Sequence, residues 1–427
     1  MSSLEAGRLE DIDFFRSGAV LADPYPYYEQ LRSKCPVYRE PHEGVVMITG
    51  YDEALEVYRD AASFSSANSV TGPFPGFSIP LVGDDVTELI EAHRDELPFS
   101  DQLPTFDPPK HGAHRGLTMR MLTPNRLKEN ESAIWGIADR QLDEFLDRGR
   151  CEFVSEFASP FAMFVIADLL GVPDEDRPEF RDKLARTTGF GTGESRQMAH
   201  TPLEFLYDKF RGYVEDRRRE PRADIMTRMA QATFPDGSTP EVMDVVRVAA
   251  NLFAAGQETT VRLLAAALRI VAERPDIQEA LRADPAAIPN FVDEVLRIES
   301  PIKGDFRVAR VATTIGGVEI AAGTTVMLLN GAASRDPRRF GDPARLDPAR
   351  PNAREHLAFG HGTHFCPGAP LARTEGRVAL ERILQRTSAI RIDDRMHGPE
   401  GERKFRFVPT YMLRGLVALH LEFEAVG

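Results

Sequence analysis

From residue 126 to about residue 275, apolar positions recur at helical spacing almost throughout, whereas shorter runs of β type flank this stretch on both sides. The longest predicted helix opens at Ser238-Thr-Pro-Glu241, where Ser238 and Glu241 have capping-box spacing and Pro240 falls in the first turn; Pro275 stops it after Arg274. At 1.5 Å per residue it would be roughly 50 Å long, enough to cross a domain. Val245, Val248, Ala249, Leu252, Phe253, Ala254 and Ala255 surround its middle, which is therefore expected to be buried.

Before this helical centre, Gly44-Val-Val-Met-Ile-Thr-Gly50 reads as a short buried strand, and Asp52 suits the N-cap of a helix over residues 53–58. Residues 66–106 mix glycine and proline with apolar residues and then turn acidic, the pattern of a long loop holding one helix and serving as a lid. After the centre, strands return over residues 306–329, with Gly316-Gly317 as a hairpin turn, and again over residues 403–425. The pattern predicts a mainly α protein with small β-sheets and not a doubly wound sheet. No linker divides residues 1–427, so one domain is expected, with residues 1–22 as a disordered N-terminal segment.

Composition narrows the classes. With 42% hydrophobic and 28% charged residues there is material for a large core, which excludes a disordered chain. A net charge of -14 argues against nucleic acid or an anionic membrane as a partner. The three cysteines, Cys35, Cys151 and Cys366, are too scattered for a disulfide framework or a CxxC knuckle, so a reducing cytoplasm fits. No apolar run reaches the ~20 residues that span a bilayer, and a soluble protein is expected.

Four segments carry candidate chemistry. Cys366 lies in the glycine-rich run Ala358-Phe-Gly-His-Gly-Thr-His-Phe-Cys-Pro-Gly368, just before a helix whose N-terminus favours a thiolate. A zinc site of His361, His364 and Cys366 is the rival reading, though it lacks a second cysteine pair and finger spacing. In the long helix, Ala255-Gly-Gln-Glu-Thr-Thr260 places a glycine and a carboxylate where a buried helix tolerates neither well, which marks a functional site. Glu294 and Arg297 share one helix face at i, i+3. His111 and Arg115, with Arg307 further on, are cations suited to paired carboxylates.

Taken in order, these segments closely resemble the cytochrome P-450 family, from about Asp23 to Phe423. The resemblance implies the family's fold, with haem b (iron protoporphyrin IX) between the long helix and the cysteine loop, and a bacterial-type haem-thiolate monooxygenase. Such an enzyme inserts one atom of O2 into a small to medium hydrophobic substrate. Cys366 would be the axial ligand, with Phe359 and Gly368 in its loop. His364, His111, Arg115 and Arg307 would meet the propionates, Gly256 would open space beside the iron, and Glu258 with Thr259 would form the acid–alcohol proton relay. Glu294, Arg297 and Arg350 would support the haem loop, although Leu346 replaces the family's usual aromatic. The acid–alcohol pair counts against a peroxide-driven enzyme or a haem sensor. The nearest nucleotide-binding match, glycines 189, 191 and 193, follows no strand and has the wrong spacing, so electrons must come from another protein. That partner is expected to be a small acidic ferredoxin with its ferredoxin reductase, docking on Arg115, Arg120, Arg126 and Lys128. The pocket is expected to be bordered by the lid's Phe74, Phe77, Ile79, Pro80 and Leu81, by Ile302, Phe306, Tyr411 and Met412, and to carry a polar end at Lys303 and Asp305. Pro367 removes an N–H that could point at the sulfur.

Overall fold

The structure, a computed structural model, describes residues 8–184 and 203–426. Helices dominate, as the apolar spacing predicts, and the helix Val242–Glu273 runs through the centre. It packs against helices Ser159–Leu170, Glu204–Arg219 and Ala369–Arg386. Its apolar faces, among them Val245, Val248, Ala249, Leu252 and Phe253, lie in the largest core. Ala254 and Ala255 depart from the expected burial because they border a hollow.

This helix starts three residues later than expected. Glu241 is the N-cap, and Asp244 completes the capping box by accepting from the Glu241 backbone N–H. Ser238 is engaged elsewhere, its hydroxyl on Asp236 Oδ1 at 2.6 Å in the preceding turn. Asp52 is likewise not a cap: the helix is Tyr51–Arg59, and Asp336 Oδ2 accepts from the Tyr51 N–H at 2.8 Å. In both cases a side chain distant from the predicted cap, or one register later, satisfies the free amides.

Three sheets flank the helices. The largest orders its strands Val37–Arg39, Val46–Ile48, Thr325–Leu328, Asp305–Ala309 and Phe64–Ser65; Val46–Ile48 is fully buried and pairs in parallel with Thr325–Leu328. Arg150–Glu152, His420–Ala425 and Thr387–Ile392 form a second sheet. The third is the hairpin Thr313–Ile315 and Val318–Ile320, turned by Gly316 and Gly317 at φ 55° and 80°. Within residues 66–106 the expected helix is Thr87–His93.

Residues 8–22, within the segment expected to be disordered, are built into the fold. Phe14 and Phe15 are fully buried against Tyr27, Tyr28, Phe74 and Tyr411. Aromatic burial of this kind outweighs the ordering entropy that would leave a polar terminus loose.

Candidate active site

Between the long helix and the cysteine loop lies a hollow with two connected lobes of about 330 and 260 Å³, both bordered by Asn251, Ala255, Thr259, Asp305 and His364. The loop is fixed by its own backbone. The Cys366 N–H donates to Phe359 O at 2.9 Å and the Phe365 N–H to Gly362 O at 3.0 Å. Gly362 has φ 68°, and a Cβ there would stand 2.5 Å from Tyr58 O, so only glycine fits. Helix Ala369–Arg386 follows at once, its Ala369 N–H donating to Cys366 O at 3.4 Å, and the Gly368 and Ala369 amides lie near the Cys366 sulfur. Burial pushes the thiol up while those amides and the charge of Arg115 pull it down.

Opposite Cys366, the long helix presents Gly256 and Thr259. A Cβ on Gly256 would meet Ile166 at an ordinary 3.5 Å, so packing does not demand glycine; what it provides is room at the hollow. The Thr259 hydroxyl donates to Ala255 O at 2.9 Å, one turn back. Glu258 is not a buried carboxylate: it is exposed at the hollow and ion-paired with the buried Arg262 one turn on. That i, i+4 pairing satisfies within the helix a charge that burial would have penalised.

The predicted cations meet at one edge. His111 and Arg115 come from helix Lys110–Met121, His364 from the cysteine loop and Arg307 from strand Asp305–Ala309. The His111 and His364 rings lie 4.0 Å apart, Ser66 Oγ is 3.1 Å from His364 Nε2, and Arg115 Nη2 donates to Phe365 O at 2.7 Å. Arg307 is buried, donates to Phe306 O at 2.6 Å and lies over the Tyr58 ring. Among the described residues neither Arg115 nor Arg307 has a carboxylate partner. Burial, with Arg115 beside it, lowers His111 to about 4; burial, with Arg307 beside it, lowers His364 to about 2. A hollow with one thiol on its wall and unneutralised cations at its rim fits a planar, dianionic iron macrocycle.

Glu294 and Arg297 are wholly buried, with Nε to Oε2 at 2.7 Å, and Arg350 Nε reaches Glu294 Oε1 at 3.1 Å, as the resemblance implied. No group of three His, Cys, Asp or Glu side chains among the described residues is placed to hold a metal ion, which removes the zinc reading.

Other expectations fail. Lys303 turns away from the hollow: its Nζ donates to Leu21 O at 2.6 Å and Thr410 O at 2.7 Å, and burial lowers it to about 7. Asp305 does border the hollow but accepts from Tyr58 Oη and Asn330. Of the lid's apolar side chains, Phe74 packs on Phe15 and Tyr411, and Phe77 and Leu81 pack on the cluster of Val86 and Ile90; none of the five borders either lobe. Val70, Phe99, Leu103 and Leu203 do, with Ile302, Met412 and Leu413. Phe306 and Tyr411 are core residues. The glycines at 189–193 lie outside the described residues.

Sequence reasoning missed Glu375 and Asn251. Glu375 is buried at the lobe that Cys366 also borders, accepts from the Thr260 hydroxyl at 2.7 Å, and is raised by burial to about 8. Its signal was its place in the apolar stripe of Leu371, Val378 and Ala379 at i, i+4, i+7 and i+8.

The sequence profile described as Cytochrome P450 matches residues 192–403. Cytochrome P450 144 of Mycobacterium tuberculosis is 33% identical over 90% of this chain and 87% of its own length. Cytochrome P450 monooxygenase PikC of Streptomyces venezuelae is 33% identical over 94% of this chain and 92% of its own. The substrate-free structure of Mycobacterium marinum cytochrome P450 CYP150A6 superposes with a TM-score of 0.93 and 54% identity, over 98% of this chain and 100% of that one. No described helix is long and apolar enough to cross a membrane. With the hollow, the cysteine loop and the rim of cations in the positions a haem-thiolate centre needs, this likeness along nearly the whole sequence means that the chain belongs to the cytochrome P450 family of haem monooxygenases.

Proposed function

We propose that this hollow would hold iron protoporphyrin IX, with the Cys366 thiolate as the protein ligand of its iron, and that the protein oxidises a small to medium hydrophobic molecule. The observation that carries the reading is the opposition of Cys366 to Gly256 and Thr259 across a hollow rimmed by His111, Arg115, Arg307 and His364. Phe359 and Gly368 belong to the loop that fixes the sulfur, and neither histidine nor a second cysteine follows Cys366 at the spacing of a covalently attached haem, which favours the b form. When bound, the haem supplies reductive activation of O2 and insertion of one oxygen atom, favoured by electron donation from the thiolate.

The chain's own residues do the rest. Arg115 and Arg307 neutralise the propionates, with the His111 and His364 rings as further donors. Thr259 Oγ1 holds a proton on the face of the hollow away from Cys366, and Glu258, exposed beside it, resupplies that proton from water. Val70, Phe99, Leu103, Leu203, Ile302 and Met412 exclude water and favour an apolar substrate. Electrons are assigned to an acidic ferredoxin served by its reductase. Arg120, on the same helix as Arg115, and Lys128, on the next helix Pro124–Asp143, are exposed; Arg115 is itself bonded to the cysteine loop, and the two exposed cations supply the opposite charge for steering.

In the reduced, carbon-monoxide-bound state the protein should show the red-shifted band of thiolate-ligated haem, and Cys366→Ala should abolish it. An unchanged band in that variant would overturn the assignment.

A further inference from the structure

Away from the rim of His111, Arg115, Arg307 and His364, every polar side chain but one that borders the hollow among the described residues is already committed. Ser69 Oγ donates to Pro104 O at 2.8 Å, Thr259 to Ala255 O, Thr260 to Glu375, and Glu258 is paired with Arg262. Asp305 is held by Tyr58 and Asn330, and the histidines and arginines gather at the rim. Asn251 is the exception. It borders both lobes, and its carboxamide has no hydrogen-bond partner among the described residues.

Its position on the long helix gives the exception a direction. Asn251, Ala255 and Thr259 follow at i, i+4 and i+8, so they form one stripe along the hollow. At 1.5 Å per residue, Asn251 stands about 6 Å along the helix from Ala255, on the side away from Thr259. The neighbouring lining is apolar: Leu103, Leu203, Leu252 and Ala254. A carboxamide in such surroundings is costly unless something pairs with it, and among the described residues nothing does.

Resting on the haem-thiolate reading above, we infer that Asn251 is the specificity-determining residue of this hollow and takes the single hydroxyl or carbonyl group of an otherwise hydrocarbon, uncharged substrate. The carboxamide both donates and accepts, so it serves an alcohol or a ketone. A charged group gains little there, since Arg247, one turn back on the same helix, is already paired with Asp101 at 2.9 Å. The bond fixes which carbon lies over the Ala255–Gly256 opening, about one helical turn from the polar group, and so also sets the position oxidised.

The test uses the haem-loaded protein and the matched probes adamantane, 1-adamantanol and 2-adamantanone, with affinity read both from the haem spin-state shift and by calorimetry. The wild type should bind the alcohol and the ketone more tightly than the hydrocarbon by about 3–10-fold, the value of one net hydrogen bond. Asn251→Leu should level the three affinities while leaving haem content and the carbon-monoxide band unchanged. Asn251→Asp, an acceptor only, should keep the alcohol and lose the ketone. A wild-type ranking preserved in Asn251→Leu overturns the inference, as does an equal affinity of the wild type for all three probes. A missing carbon-monoxide band in the wild type would instead overturn the underlying assignment, so the two failures are told apart.

Discussion

Two clusters of arginines meet opposite surroundings. Arg297 and Arg350 share the carboxylate of Glu294, and their remaining N–H groups reach the carbonyls of Ser334, Gly341, Asp342, Pro343 and Arg345. Arg115 and Arg307 instead meet single carbonyls and face the hollow. The first cluster is complete within the polypeptide and serves stability. The second has charge to spare and serves binding.

The largest test of that contrast is Glu294→Gln, which leaves two arginines buried without an anion. It should cost about 3–5 kcal/mol, read as a fall in the denaturant midpoint, with little soluble protein recovered. Arg307→Met should behave differently. The fold should keep its midpoint without haem, while loss of a charge-assisted contact of about 1.5–3 kcal/mol should speed haem transfer to an acceptor protein by about 10–100-fold. Equal destabilisation of the haem-free protein by the two substitutions would erase the distinction between the clusters.

A third buried charge sharpens the comparison, because it is neutralised by a proton. Burial raises Glu375 to about 8 from an ordinary 4.5, so between those values the folded chain holds a proton that the unfolded chain releases. Stability should therefore fall as pH rises through that window and level off above it. Glu375→Gln should flatten this slope in a series of unfolding curves from pH 5 to 9; an unaltered slope would mean that Glu375 is not its source. The smallest effect concerns the anion facing the second cluster. Two amides, of Gly368 and Ala369, already lie near the Cys366 sulfur, and Pro367 withholds another. Pro367→Leu should raise the ferric/ferrous potential modestly at unchanged spin state. No change would leave proline a purely backbone role.

The parts legible in the sequence were those where chemistry imposes a rule. Glycines at 360 and 362 around one cysteine, and Glu294 with Arg297 and Arg350, were readable because backbone geometry and buried charge admit few alternatives. Phe74 and Leu81 misled because an apolar side chain in a loop looks the same whether it faces a core or a ligand. Lys303 misled because its charge suggested a ligand, whereas two carbonyls from distant segments satisfy it. Asn251 and Glu375 went unseen because a single polar residue barely disturbs an apolar stripe, and only the neighbours in space show whether it is paired. The start of the long helix was misplaced because Ser238 and Glu241 both have capping chemistry, and the competing bond to Asp236 decides between them.

The clamp at Lys303 bears on how the molecule is made. Its ammonium joins carbonyls 282 residues before it and 107 after it, Leu21 and Thr410. At ~5–20 residues per second, synthesis separates the two carbonyls by roughly 20–80 s. Through that interval the N-terminal segment lacks Tyr411, on which Phe15 packs, and Met412 and Leu413 have yet to wall off the hollow. The hollow is thus enclosed only late in synthesis, and chains released before Thr410 would lack both the carbonyl that satisfies Lys303 and the side chains of Met412 and Leu413 that wall the hollow.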